Sequence, residues 1–280
     1  MRIGAHIRTS KGLVDAVAYA RSVGCETMQI FAKTPLQWEA PERDERDLSA
    51  FRSALAEHGM TLAATHGAYL VNLASPDEEL WLRSIATLAD EIVRAAELGA
   101  PAVVTHLGSS PGSRERACLR VAAAVTRALE TTEGCAAGVL LENSSGSGNT
   151  LGSTSEEIIA VFEAVPKDLR TRVAVCVDTC HAHVAGYDLS TPSGWRTLLS
   201  PFARAEARVA LVHANDALYG CGSRRDRHAW VGEGTIGEAG FALLFEQEQL
   251  HNADVVVEMP GAPPTKDALN VARLKELRDG

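Results

Sequence analysis

Six side chains able to bind a metal ion recur along this 280-residue chain at nearly constant intervals: His66, His106, Glu142, Asp178, His213 and Glu258. The spacings are 40, 36, 36, 35 and 45 residues, close to one eighth of the chain length. Each ends a short aliphatic run. Taken singly, such a histidine is a hydrogen-bonded structural residue, and such an acid caps the helix that follows. Taken together they point elsewhere. Three carboxylates brought to one place repel one another and are costly to bury unpaired. Imidazoles beside them make a cation the economical partner, and a mixed nitrogen and oxygen set suits Zn2+, with Mn2+ or Fe2+ as further options. Two smaller groups follow strand ends. Asp178-Thr-Cys-His181 puts a histidine three residues past a candidate ligand, and Asp226-Arg-His228 has the i, i+2 spacing that points two side chains one way in extended chain. His181, Asp226 and His228 have the donors for another ion, while Arg224, Arg225 and Arg227 allow a plain surface ion-pair cluster at the same place.

The elements that must position these residues alternate in period. Short strands are predicted at Ile3–His6, Thr27–Phe31, Leu62–His66, Ala102–His106, Gly138–Glu142, Val173–Asp178, Val209–His213 and Asp254–Glu258. Amphipathic helices are predicted at Gly12–Ser22, Asp47–His58, Glu78–Leu98, Ser113–Leu129, Ser155–Val165, Phe241–Leu250 and Thr265–Leu277, with caps at Ser75, at Ser153–Ser155 and at Thr265. Strand–helix alternation implies a parallel sheet. Eight units is the number of a closed (β/α)8 TIM barrel, although periodicity alone also suits a doubly wound sheet. In a barrel the C-terminal strand ends share one rim, which gathers the six residues into one metal site. No low-complexity linker divides the chain, so residues 1–280 read as a single catalytic domain. Ser144–Ser153 reads as a loop after a strand, Arg43–Asp47 as a solvated charged face, and the long polar stretch Asp216–Gly237 as a functional loop.

Composition narrows the class. Hydrophobic residues are 46% and charged residues 22%, as in an ordinary globular protein. No apolar run nears the roughly 18 residues of a membrane span, and the strand-like start leaves no room for a signal peptide, so a cytoplasmic location is expected. Six cysteines without a CxxC pair read as buried free thiols. A net charge of −9 argues against coating nucleic acid by bulk electrostatics but not against a local positive field. Three divalent ions would offset six of those charges. His58 and His251 read as exposed, and His183 as locally bonded.

At these residues the chain resembles the endonuclease IV family of apurinic/apyrimidinic-site endonucleases. The matching segments are His66-Gly-Ala-Tyr69-Leu-Val-Asn72-Leu, His106-Leu-Gly-Ser, Leu141-Glu142-Asn143-Ser, Val177-Asp178-Thr-Cys-His181-Ala-His-Val-Ala-Gly186-Tyr187-Asp188-Leu, His213-Ala-Asn215-Asp216, Gly222-Ser-Arg-Arg-Asp226-Arg-His228, Gly232-Glu233-Gly234-Thr-Ile-Gly237 and Val257-Glu258, in family order. Related sugar isomerases and epimerases lack the Asp-Arg-His trio. The resemblance implies three zinc ions: a first on His66, His106 and Glu142, a second on Glu142, Asp178, His213 and Glu258, and a third on His181, Asp226 and His228. It implies hydrolysis of the phosphodiester 5′ to an abasic site in double-stranded DNA, leaving a 3′-hydroxyl and a 5′-deoxyribose phosphate. Glu142 would orient the attacking water, and the third ion would stabilise the leaving oxygen. Tyr69 matches a residue near the DNA. One segment departs from the pattern: where the family's DNA-penetrating loop usually carries Arg, this chain reads Lys33-Thr-Pro-Leu36-Gln37-Trp38-Glu39, with Leu36 at that place. An apolar wedge also unstacks bases. Arg224, Arg225 and Arg227 are candidates for phosphate contacts. Two other functions compete. One is a metal-dependent sugar isomerase or epimerase using Glu142, Asp178, His213 and Glu258; the other is a non-catalytic DNA-binding protein with structural zinc. A monomer is expected.

Overall fold

Eight parallel strands close into a barrel in a computed structural model that describes residues 1–258 and 264–280. The strands are β1 (Ile3–His6), β2 (Thr27–Phe31), β3 (Thr61–His66), β4 (Ala102–His106), β5 (Gly138–Glu142), β6 (Val173–Asp178), β7 (Val209–His213) and β10 (Asp254–Val257), in the order β1-β10-β7-β6-β5-β4-β3-β2. The doubly wound alternative is thereby removed. Between them run α1 (Leu13–Ser22), α2 (Glu45–Glu57), α3 (Glu78–Leu98), α4 (Arg114–Thr131), α5 (Ser155–Ala164), α6 (Thr179–Ala185), α7 (Pro192–Arg204) and α8 (Gly237–Phe245), and α9 (Pro264–Asp279) closes the ring. The fold is a (β/α)8 TIM barrel. None of its described helices is long and apolar enough to cross a membrane.

Local chemistry sets the boundaries. Asp44, Asp77, Ser113, Thr154 and Thr191 each accept a backbone N–H with the side chain at a helix start, which satisfies donors the helix leaves free. The cap of α3 is therefore Asp77 rather than Ser75, whose hydroxyl accepts from the Asp77 N–H instead. Gly99 ends α3 in the left-handed conformation, at φ 82°. The side chain of Thr265 lies outside the described residues.

Two apolar layers build the core. The larger lies between strands and helices and includes Ile3, Met28, Phe51, Leu88, Trp195, Phe202 and Phe241. The smaller fills the barrel lumen with Ala63, Ala64, Ala102, Val104, Leu140, Ala174, Cys176, Leu211 and Val256. Close strand approach demands Gly4, where a Cβ would stand 1.8 Å from the Thr27 carbonyl oxygen. All six cysteines are free, but only Cys25, Cys118, Cys176 and Cys180 are buried; Cys135 is half-buried and Cys221 exposed, contrary to the sequence expectation.

Sequence periodicity missed α6 and α7 and displaced α8, which was expected at Phe241–Leu250. The polar stretch Asp216–Gly237 contains a two-stranded ribbon, β8 (Asp216–Ala217) against β9 (His228–Ala229), antiparallel.

Candidate metal centre at the barrel mouth

Parallel strands in register deliver their last residues to one rim, and here the register pairs His106 with Glu142 and Asp178 with His213. His66, Glu142, Asp178 and His213 are buried. Glu142 is the hub. Its Oε2 lies 3.4 Å from His66 Nε2 and 3.3 Å from His106 Nδ1, and its Oε1 lies 2.9 Å from His213 Nδ1. His213 Nδ1 is also 3.1 Å from Glu258 Oε2. Ligand atoms of His66, His106 and Glu142 converge within 4.8 Å, as do those of Glu142, Asp178, His213 and Glu258. Asp178 caps the short helix α6, accepting from the His181 N–H at 2.8 Å, and this one turn carries His181 into the mouth. There Asp226 faces both His181 Nε2 (3.2 Å) and His228 Nε2 (3.6 Å). Around this third point the converging sets are Asp178, His181 and His228, and Cys180, Asp226 and His228. Sequence reasoning did not single out Cys180. His6, another strand-end residue, stands beside Glu258, with Nδ1 3.2 Å from Oε1. Of the remaining histidines, buried His183 accepts from the Leu189 N–H, His58 is half-buried rather than exposed, and His251 is exposed.

The hydrogen bonds behind the rings say which nitrogen is free. His66 Nδ1 lies 2.8 Å from the Gly67 carbonyl, His181 Nδ1 3.0 Å from that of Asn143, and His228 Nδ1 2.8 Å from that of Glu258. A carbonyl only accepts, so each Nδ1 carries hydrogen and each neutral ring turns an Nε2 lone pair toward carboxylate oxygens. Lone pairs facing anions repel unless a proton or a metal ion stands between them. Neighbouring rings crowd in series, with centroids 5.5 Å apart for His66 and His106 and 5.9 Å for His106 with His181 and His181 with His228. A row of adjacent imidazoliums would repel. Glu142 Oε2 is buried and accepts no hydrogen bond from the described residues, as expected of an oxygen waiting for a cation. The donor set therefore fits metal ions.

Charge coupling across the mouth is strong. Burial disfavours charged His66, yet the negative charges of the nearby Glu142 and Glu258 carboxylates outweigh it and lift its pKa to about 9. Burial also opposes charge on His181, but Asp178 and Asp226 raise it well above the usual imidazole range. Glu142 is held well below the usual carboxylate range because the surrounding histidines overcome the cost of burial. His106 is lowered by burial, which the Glu142 charge offsets only in part.

The xylose isomerase-like TIM barrel family model matches residues 17–277. A probable endonuclease 4 of Chloroflexus aurantiacus is 39% identical over 283 residues, covering 100% of this chain and 99% of its own length. The chain belongs to the endonuclease IV family. The crystal structure of endonuclease IV from Thermus thermophilus superposes with a TM-score of 0.85 at 33% identity, over 100% of this chain and 99% of that one. A 3-keto-D-glucoside 4-epimerase from E. coli has a TM-score of 0.71 at 16% identity, covering 99% of each chain, a likeness of fold alone.

Several residues of the endonuclease IV segments hold the mouth together from behind. Asn143 and Asp178 exchange two hydrogen bonds between side-chain amide and backbone (2.6 and 2.9 Å), and Asn215 bridges the Asp178 carboxylate to the Glu258 N–H. Asp216 explains the glycine-rich Gly232–Gly237 segment. Its fully buried carboxylate accepts from the N–H groups of Ala217, Gly232, Gly234, Ile236 and Gly237. At Gly234 a Cβ would meet Asp216 Oδ1 at 2.4 Å. This clamp ties the loop to β8, the ribbon partner of His228.

The expected DNA-facing residues surround that mouth. Leu36 is 69% and Tyr69 58% exposed, and the Tyr69 N–H donates to the Pro35 carbonyl, joining their two loops. Tyr69 meets Phe31 and His66 edge-on, at 5.4 and 5.9 Å. Gln37 is exposed, whereas Trp38 is half-buried under the Arg83 guanidinium. Lys33, buried, anchors this loop through the Trp38 carbonyl and Asp90. Arg224, Arg225 and Arg227 are exposed on the long loop, with Arg225 stacked on Tyr219.

Proposed function

We propose that this chain is a DNA-repair endonuclease that hydrolyses the phosphodiester 5′ to abasic sites in double-stranded DNA, leaving a 3′-hydroxyl and a 5′-deoxyribose phosphate. Residues 1–280 act as one catalytic domain, monomeric and cytoplasmic. What carries the reading is the buried Glu142 oxygen, unbonded among the described residues and set among imidazole lone pairs, in a chain aligned end to end with relatives named endonuclease 4. Three Zn2+ ions would be held at the mouth: one by His66, His106 and Glu142, one by Glu142, Asp178, His213 and Glu258, and one by His181, Asp226 and His228. Mn2+ or Fe2+ also suits part of this donor set. When bound, the ions supply a water activated near neutral pH and charge stabilisation for the leaving oxygen.

The chain's own residues do the rest. Glu142 orients the attacking water in line with phosphorus. Asp178 and Asn143 hold the start of α6, and with it His181. Leu36 and Tyr69 press apolar surface against the duplex, with Gln37 and Trp38 beside them, while Arg224, Arg225 and Arg227 take phosphates. A missing base lowers the cost of turning the lesion out of the stack.

The test is incubation of the purified protein with a duplex oligonucleotide bearing one abasic site, and with its intact counterpart. Incision 5′ to the lesion only, abolished by chelator and restored by zinc, is the expected result. No incision by zinc-replete protein, or incision indifferent to chelator, would overturn the proposal.

A further inference from the structure

Gln29 lies on β2 and is fully buried beneath the mouth. Its amide touches three groups: Glu258 Oε1 at 2.6 Å, His6 Nδ1 at 2.8 Å and His213 Nε2 at 2.9 Å. Only one assignment satisfies them all. The Glu258 carboxylate accepts and cannot donate when ionised, so the Gln29 atom facing it is the amide nitrogen. The amide oxygen then faces His213 Nε2, which must carry hydrogen. The neutral His213 ring therefore turns its Nδ1 lone pair toward Glu142 Oε1 and Glu258 Oε2, at 2.9 and 3.1 Å. The second amide hydrogen goes to His6 Nδ1.

We propose that Gln29 is a positioning residue for the second ion: it sets the tautomer of His213, orients Glu258, and selectively raises metal affinity at the Glu142, Asp178, His213 and Glu258 cluster. This rests on the three-ion reading above. A metal-bound imidazole commonly donates its other N–H to a carboxylate or backbone carbonyl, which fixes the ring and its tautomer. Here a neutral side-chain amide does the same without adding a further anion beside Glu142, Asp178 and Glu258. The backbone is adjusted at this point. Pairing of β2 with β3 is regular from Thr27 to Met28, then shifts so that Gln29 opposes Ala64 rather than Ala63. Such irregularities re-aim a side chain beside a site.

The experiment uses full-length zinc-loaded protein as wild type, Gln29→Leu and Gln29→Met, titrated with chelators of graded strength while released zinc is counted. Both variants remove the acceptor, and the flexible methionine guards against misfolding by poor packing. Wild type is expected to hold three zincs per chain. In the variants one zinc is expected to leave at roughly 10–100-fold weaker chelation while the other two keep their wild-type midpoints. In 15N-histidine spectra of the zinc-loaded protein, the His213 Nε2–H resonance shifts or disappears in the variants. Three zincs retained at wild-type midpoints would sink the Gln29 assignment alone. Uniform loss of all three, in step with a lower Tm, would also overturn it by reducing Gln29 to a packing role. Wild-type protein that holds no zinc would sink the metal centre itself, and this assignment with it.

Discussion

Replacing Asp216 by Asn tests whether one buried carboxylate holds the loop behind the third cluster. Five backbone N–H groups point at it: Oδ1 accepts from Ala217 and Ile236, Oδ2 from Gly232, Gly234 and Gly237. An amide keeps the shape but turns one oxygen into a donor. Whichever way it sits, at least two N–H groups lose their acceptor and face another N–H, buried ones at Oδ1 or part-buried ones at Oδ2. Each such group costs about 1–3 kcal/mol, so the sum is roughly 2–6 kcal/mol. Local opening of the loop caps that cost, and about 3 kcal/mol is expected. Amide exchange measured by mass spectrometry over residues 228–237 should therefore speed up by about 100-fold, while peptides from β5 keep their protection. The loss of order reaches β9, so zinc at His181, Asp226 and His228 should weaken as well. Gly234→Ala drives a Cβ into the same carboxylate and should reproduce the pattern. Wild-type exchange across 228–237 in Asp216→Asn would refute the clamp.

Glu142→Gln removes the hub charge and should lower abasic-site incision by roughly 10²–10⁴-fold in single-turnover assays, with abasic-duplex binding kept; unchanged incision removes the role given to Glu142. Leu36→Ala should leave Tm unaltered, because the side chain is exposed, but weaken abasic-duplex binding about tenfold by fluorescence anisotropy if an inserted leucine is buried. Equal affinity would discard the wedge. Glu91, buried beneath the His66–Tyr69 segment, accepts from the Ala68 N–H. Burial lifts its pKa from 4.5 to about 7 against the pull of Lys33. The folded state thus holds this proton more tightly than the unfolded chain. Its stabilising contribution is complete below pH 4.5 and is lost as pH rises towards 7. Glu91→Gln should therefore match wild type in stability near pH 4.5 and exceed it by up to about 3 kcal/mol at pH 8 in denaturant titrations, whereas a pH-independent difference would refute the assignment.

The strands were legible in the sequence because seven of the eight runs end abruptly at His, Asp or Glu, Phe31 being the exception. Six of the eight match residue for residue, β3 begins one residue earlier, and β10 stops just before Glu258. That abruptness also revealed most of the metal-ligating side chains, since burial against a parallel sheet favours continuous apolar runs and only the rim tolerates His, Asp or Glu. Helices α6 and α7 escaped for physical reasons. Helix α6 is a short, mostly buried helix of 7 residues built from the chemistry-bearing Thr179-Cys-His-Ala-His segment, without the polar face that makes a period visible. Helix α7 opens on Pro192-Ser-Gly and carries Pro201 inside, signals that read as turn. Helix α8 starts where the Asp216 clamp releases the chain at Gly237, a tertiary cause that local pattern does not carry. The roles of Gln29 and Asp216 were hidden for the same reason: they arise only when β2, β8 and the 232–237 loop meet the strand ends.

In the proposed centre, nine side chains from across the chain grip three zinc ions at one mouth. Anomalous diffraction at the zinc edge from crystals of the zinc-loaded protein tests it most directly. Three peaks are expected, each about 2.0–2.3 Å from its assigned nitrogen and oxygen atoms: one beside His66 and His106, one beside Asp178, His213 and Glu258, and one beside His181, Asp226 and His228. An empty mouth, or zinc bound only elsewhere on the barrel, would contradict the account.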